Sequence, residues 1–145
     1  MIYTVGTVSA AAAAGAPYAE IRSGAAKPMR LREVAVFLRA ATSSEVGLAR
    51  ATAIGLVPVT ALGQGVDPAE AAGTGGVAAS WGTAPTFVGT DYLDRVLMPA
   101  TLGAGFVWRF APGEEIVVPV SESLLLWNTG AGAGAALTVR AKWDE

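Results

Sequence analysis

The sequence predicts an all-β protein, an antiparallel β-sandwich of about eight to ten short strands. The clearest signal lies between Gly103 and Glu145, where short runs rich in valine, leucine and tryptophan are separated by glycine and proline. A second signal is the strict alternation of apolar and polar residues from 137 to 144, which is the period of a half-buried strand. With 145 residues the chain is long enough for one domain, residues 1–145, and for one core.

The first third of the chain contains three predicted strands. Residues 1–17 form either a first strand or an N-terminal arm, because the alanine run is stopped by Gly15 and Pro17 before a helix could be stable. Tyr18–Ser23 alternates and forms a second strand. Met29–Ala41 is ambiguous, because Leu31, Val34 and Leu38 would share one helix face. Its β-branched and aromatic centre favours a strand that is buried on both faces.

The middle of the chain is expected to contain a hairpin, a loop and shorter strands. Glu45–Thr52 is predicted to pair with the preceding strand across a turn at Thr42–Ser44. Residues 53–76 mix Gly, Pro, Ala and Thr and predict a long surface loop that contacts a neighbouring molecule. The sequence then predicts a strand at Gly76–Trp81, one short helical turn at Asp91–Asp94 and a strand at Arg95–Pro99.

Two further strands are predicted on either side of a turn at Pro112-Gly113. In the first, Phe106, Trp108 and Phe110 point to one face. In the second, Ile116, Val118 and Val120 repeat the alternation. Pro119 cannot donate a ladder hydrogen bond, so this run is expected to lie at a sheet edge or to end there.

The composition indicates a protein whose apolar surface is covered by other subunits. Hydrophobic residues make up 52% of the chain and charged residues 15%, with a mean hydropathy of +0.46. A membrane helix needs about 20 consecutive apolar residues, and no such run is present. The segment Met1–Ala19 lacks the basic start of a secretory signal. The net charge of −2 and ten scattered Lys and Arg residues argue against nucleic-acid binding.

Residue types needed for common enzyme mechanisms are missing. The chain has no histidine and no cysteine, which excludes Ser-His-Asp and Cys-His arrangements and the usual zinc sites. Lys27 and Lys142 lie in no motif of a Ser-Lys nucleophile. A Ca²⁺ ion held by Asp91 and Asp94 is conceivable, but the spacing is weak evidence and solvated carboxylates are the commoner explanation. We therefore expect no enzyme activity, no cofactor and no metal.

The four tryptophans divide into two predicted groups. Trp108 and Trp143 lie in alternating strands and are expected in the core. Trp81 and Trp127 border turns and are expected at a subunit interface. The complete set of interface candidates is Tyr3, Val5, Tyr18, Trp81, Phe87 and Trp127.

Several stretches resemble small virion proteins of tailed phages and prophages of actinobacteria. The stretches are YTVGTVSAAAAAGAPYAEIRSG, WGTAPT, LMPATLGAGFVWRF, PGEEIVVPVSESLLLWN and the closing WDE, which together cover most of the chain. The resemblance implies a jelly roll similar to tumour-necrosis-factor-like or cupin-like folds. It also implies an accessory capsid protein, a homotrimer on the major capsid protein, located on the capsid surface after synthesis in the host cytoplasm.

Two other functions are compatible with the residues. One is a receptor- or glycan-binding module of a head fibre or tail tip, which would use exposed tryptophan or tyrosine rings. The other is a cupin-like enzyme, which the missing histidines disfavour.

Overall fold

The computed structural model describes residues 1–145 and contains twelve β-strands and no helix. The strands are β1 (Ile2–Val8), β2 (Pro17–Arg22), β3 (Met29–Leu38), β4 (Ser44–Arg50), β5 (Leu56–Leu62), β6 (Gln64–Gly65), β7 (Gly76–Thr83), β8 (Asp94–Met98), β9 (Gly105–Arg109), β10 (Ile116–Val118), β11 (Ser123–Asn128) and β12 (Leu137–Asp144).

The strands form two packed antiparallel sheets, which confirms the predicted β-sandwich. Sheet A has the order β10-β3-β12-β1-β6, and β9 also pairs with β3. Sheet B has the order β5-β7-β2-β11-β4-β8. Strands distant in the sequence are direct neighbours, as in the pairing of β1 with β12 and of β2 with β11. The two ends of the chain are therefore combined in one core.

The core lies between the sheets and follows the alternation of the strands. It contains 24 buried residues from both sheets. In β12 the residues at 137, 139, 141 and 143 are fully buried, whereas their neighbours point to the outer face of sheet A, as predicted. Trp108 and Trp143 are 5% and 0% exposed, which confirms both as core residues.

The start of the chain is a strand of sheet A. β1 lies between β12 and β6, so residues 2–8 form a first strand and not a free arm. The following connector is fastened to the end of sheet B, because the Asn128 side-chain amide donates to the carbonyls of Ala12 and Ala13.

The predicted hairpin of β3 and β4 is wrong. β3 is a strand of sheet A, whereas β4 pairs with β11 and β8 in sheet B. The connection crosses from one sheet to the other, so that Val46 and Leu48 of β4 join the same core as Val34 and Val36 of β3. The apolar pattern is the same for a hairpin and for a crossing connection.

The segment 53–76 is not a long loop. It contains β5 and β6, and this is one reason why the chain has twelve strands instead of eight to ten. β5 pairs with β7 despite its proline, because the end strand of a sheet needs backbone donors on one side only. The predicted helical turn at residues 91–94 is also absent, and Asp94 begins β8.

The predicted turn at Pro112-Gly113 is present, closed by a hydrogen bond from the Glu114 N–H to the Ala111 carbonyl at 2.9 Å, but it does not join a hairpin. β9 and β10 are both antiparallel to β3 and therefore run in the same direction along its edge, separated by residues 110–115. β10 is the end strand of its row and ends at Val118, directly before Pro119. This position confirms the expectation that the proline follows an edge strand.

Candidate functional site

The six predicted interface residues do not form one surface. Tyr3, Val5, Tyr18 and Trp127 are 8%, 8%, 1% and 9% exposed. These four side chains are buried by the chain itself, so they cannot provide a contact surface, and their assignment to an interface is corrected. Trp81 and Phe87 are half-buried and remain interface predictions. Three of the four tryptophans are thus unavailable for a sugar-stacking platform.

The chain covers the outer face of sheet B with its own loops. Phe87 packs against Tyr92 and Trp127, with ring centroids 5.2 and 5.8 Å apart. Ala53 and Thr86 form a β-bridge that joins the two covering segments, 51–55 and 84–92. Trp127 borders a turn as the sequence indicates, but these segments bury it. Sequence patterns do not show such loops folding back.

A buried ion pair fastens one of these covering segments. Glu20 is 0% exposed and pairs with Arg22 of the same strand. The Gly55 N–H donates to Glu20 Oε2 at 3.0 Å, and Arg22 donates to the Gly55 carbonyl at 2.8 Å. Gly55 also packs directly on the Trp81 ring, where a side chain would have no room. The outer face of sheet B is therefore closed by specific polar contacts.

The most exposed apolar surface lies on β5, the end strand of sheet B. Leu56, Val57, Val59 and Leu62 are 57%, 80%, 71% and 47% exposed. We call these four residues the β5 strip. β5 carries no charged residue, and one side of its backbone has no strand neighbour. Edge strands of this kind are templates for pairing with another chain.

The other sheet edges have features that discourage pairing. β6 has two residues, the β9–β10 edge is interrupted by residues 110–115, and β8 carries Asp94 and Arg95. Short strands, interruptions and charges are the usual protections of a sheet edge. β5 has seven residues, and its protecting features are Pro58 and a shift in its pairing with β7 between Val59 and Thr60. Val57 has a φ of +51°, which is strained for a β-branched residue. The β5 strip is therefore the best candidate for an interaction surface.

A second distinctive surface is the outer face of sheet A. Six of the ten Lys and Arg residues are located there, with three of the twelve Asp and Glu residues, Glu33, Glu115 and Asp144. The face thus has three positive charges in excess, and the rest of the chain has five negative charges in excess. The pattern along the sequence, which suggests scattered cations, misses this clustering. We call the six residues the cation face: Arg30, Arg32, Arg39, Arg109, Arg140 and Lys142.

Three of the six residues of the cation face form ion pairs within the chain. Glu33 accepts from Arg109 at 3.1 Å and from Arg140 at 2.7 Å. Asp144 contacts the Met1 amino group at 2.6 Å and Arg32 at 3.0 Å. Arg30, Arg39 and Lys142 lie in no ion pair.

Because of its ion pairs, we expect Glu33 to contribute a stabilisation that is lost in acid. Burial of Glu33 acts to raise the pKa of its carboxyl, but the hydrogen bonds and charges of Arg109 and Arg140 outweigh it and hold the pKa below 4.5. The stabilisation is therefore present above pH 4.5 and is lost as the pH falls through the lower pKa of the folded state. We expect Glu33→Gln to destabilise by about 1 kcal/mol at neutral pH, with a difference from wild type that shrinks towards zero as the pH falls through the lowered pKa of Glu33.

Urea unfolding at neutral and acidic pH measures this difference. Glu114→Gln, which removes an exposed carboxylate without an ion pair, is the control. A Glu33→Gln effect of equal size at both pH values would contradict the prediction.

The acidic residues near β8 have structural contacts. Asp94 accepts from the Trp108 indole N–H at 2.7 Å and from the Arg95 backbone N–H at 2.8 Å. It thereby connects β8 to β9 of the other sheet.

An open concavity of about 570 Å³ lies along residues 90–95, and one of about 250 Å³ lies beside Asn128. No group of three or more acidic side chains is gathered in a form that could hold a metal ion.

The structure contains no helix that is long and apolar enough to cross a lipid bilayer. Comparisons of the chain with protein-family models, with curated proteins and with solved structures found no match.

Proposed function

We propose that this protein is a structural component of a virus particle, a decoration protein that stabilises a tailed-phage head through subunit contacts. The observation that carries the proposal is the β5 strip, an apolar and uncharged strand edge that the chain leaves open. Apolar edges of this length favour pairing with another chain, and proteins that function as monomers usually protect them. A contact with a neighbouring subunit would remove this surface from water.

The order of strand pairing supports the jelly-roll topology that the sequence resemblance implies. The pairs are nested from the ends of the chain inwards: β1 with β12, β2 with β11, β3 with β9 and β10, and β4 with β8. Nested antiparallel pairs divided between two sheets are typical of jelly rolls, an architecture that viral capsid proteins, lectins and cupins share. The sequence resemblance to actinobacterial phage virion proteins points to the first of these.

The proposed partners are other copies of the chain, with a trimer favoured, and the major capsid protein. The proposed location is the capsid surface. The segment 56–62 would make the contact with the shell by adding a strand or by packing its aliphatic side chains, and main-chain hydrogen bonds would add affinity in the first case.

Mass spectrometry of purified particles tests the proposal directly. We expect the chain in intact virions in stoichiometric amounts, and its absence from every particle preparation would contradict the proposal. A chain found in particles at tail stoichiometry would instead favour the fibre or tail-tip alternative.

A variant pair tests the role of the β5 strip. Val59→Asp places a charge in the centre of the strip, where a contact would have to desolvate it. We expect attachment of the purified protein to heads that lack it to weaken by more than about tenfold. Val88→Asp is the matched control, because Val88 is 80% exposed and lies outside the strip. Equal attachment of both variants would show that the strip is not the contact.

A further inference from the structure

The chain has a positively charged surface, the cation face, and a negatively charged one at the β6 edge of the same sheet. The cation face includes three residues without an ion pair, Arg30, Arg39 and Lys142. At the β6 edge of the same sheet, Asp67 and Glu70 are exposed and likewise lack an ion pair. A chain that leaves both charges unpaired on separate surfaces can neutralise them with a second copy of itself.

Asp67 and Glu70 lie on a segment that hydrogen bonds hold in place at the edge of the sheet. The segment 66–70 follows β6, and the Val66 N–H donates to the Ile2 carbonyl at 3.0 Å, which holds the segment against β1. Asp67 accepts from the Ala69 N–H at 2.9 Å, which orders the turn. Glu70 lies against Gly65, which pairs with Tyr3, and Glu145 accepts from the Trp143 indole N–H next to the Tyr3 ring. Burial and the charges of Glu145 and Glu70 accordingly raise the pKa of Tyr3. We call Asp67, Glu70 and Glu145 the acidic corner.

Each surface also contains an apolar centre. At the acidic corner, Val66 is 59% exposed next to Asp67. On the cation face, Thr138 is paired with Phe37 on one side and with Val8 on the other. Val8 is 47% exposed and Phe37 is half-buried, and Arg39 donates to the Thr138 hydroxyl at 3.4 Å. An apolar centre with a charged rim is the usual composition of a protein–protein interface.

Nucleic acid fits the cation face less well. The excess of three positive charges is confined to one sheet face, and the rest of the chain carries an excess of five negative charges that would repel a long polyanion. Phe37 is the only aromatic ring on the strands of this outer face. A compact acidic surface can match the face without reaching the acidic remainder of the molecule.

We propose that the acidic corner of one copy docks on the cation face of the next copy, in a head-to-tail contact around Asp67 and Glu70 on one side and Arg39 and Lys142 on the other. Such a contact is heterologous, because different surfaces meet, and it closes into a ring when the rotation between copies allows. This inference rests on the homo-oligomer in the proposed function and names its contact. It leaves the β5 strip free for the shell.

A charge-swap experiment tests the contact in solution. Arg39→Glu/Lys142→Glu and Asp67→Lys/Glu70→Lys are prepared separately and studied by sedimentation velocity in low salt and at about 1 M salt. We expect wild type to associate in low salt and to dissociate at high salt. We expect each variant alone to lose at least about 100-fold in affinity for itself, because like charges then meet. An equimolar mixture of the two variants should associate again in alternating order, since the new glutamates meet the new lysines in one contact and the native charges meet in the next. A closed ring of three copies would keep one contact between like charges, so the mixture is expected to form assemblies with an even number of copies.

The control variant is Lys27→Glu/Arg50→Glu, which changes the net charge equally at exposed cations that are not part of the cation face and lie in no ion pair. It should associate like wild type, and circular dichroism of each variant checks the fold. Restoration in the mixture together with an unaffected control supports the contact. A monomeric wild type, unchanged association of either variant, a control that dissociates equally, or a mixture that stays monomeric would each overturn it.

The outcome is separable from the proposed function. A chain that is present in virions but passes none of the charge-swap criteria refutes only this contact. A chain that passes them but is absent from virions refutes the decoration role.

Discussion

Glu20→Ala is expected to destabilise the protein by about 3 kcal/mol, because removing one partner of a buried ion pair leaves the other uncompensated. Arg22 would lose its carboxylate while its side chain is only 20% exposed, and the Gly55 N–H would lose its acceptor. The covering segment 51–55 should then separate from sheet B. Urea unfolding measures the stability, and cleavage by trypsin after Arg50 reports the release of the segment.

Two variants make this prediction specific. Glu20→Gln keeps the size and an acceptor for Gly55 but removes the charge, so an intermediate loss is expected. Glu122→Ala removes an exposed carboxylate without an ion pair and should change the stability by less than about 0.5 kcal/mol. Similar losses for Glu20→Ala and Glu122→Ala would mean that the buried pair does not hold the segment.

Trp143→Ala is expected to cost about 3–5 kcal/mol, the usual range for removing a large buried ring. Trp143 is 0% exposed, stacks on Tyr3 with ring centroids 6.2 Å apart, and donates its indole N–H to Glu145 at 3.2 Å. Its ring also fills the space next to Gly63, which precedes β6. The cavity would therefore weaken sheet A at the strands that combine the two ends of the chain.

Trp81→Ala is the matched comparison, because Trp81 is half-buried at the end of sheet B. We expect a loss of about 1–2 kcal/mol for this variant. Thermal unfolding followed by far-ultraviolet circular dichroism avoids the change in tryptophan fluorescence. An equal loss for the two variants would contradict the division of the tryptophans between core and periphery.

Local patterns predicted the strands whose pattern is strict. β12 and β3 were predicted because alternation or a dense β-branched run fixes which side chains are buried. β5 was missed because its seven residues include Pro58 and its apolar side chains point to solvent. A strand whose hydrophobic residues are exposed has no burial pattern that a sequence could show.

The candidate surfaces were less predictable than the strands. Trp127 borders a turn, which indicates exposure, but Phe87, itself packed against Tyr92, lies beside it from a segment more than thirty residues earlier. Glu20 gives no sign in the sequence of being fully buried, because its burial depends on a loop that returns over sheet B. The segment 53–76 is predicted from the sequence to contact a neighbour as a loop. The structure shows an exposed strand there, β5, and a contact through this strand stays a prediction.

The sequence by itself determined the fold class, the core tryptophans of β9 and β12, and the lack of histidine and cysteine that limits the chemistry. Only the tertiary structure decided which strands are neighbours, because alternation is the same whichever strand lies alongside. It also decided that six cations share one face. Five of them lie on three strands, and the sixth, Arg39, directly follows β3. Charge clustering depends on the register between strands distant in the chain, and no local pattern records it.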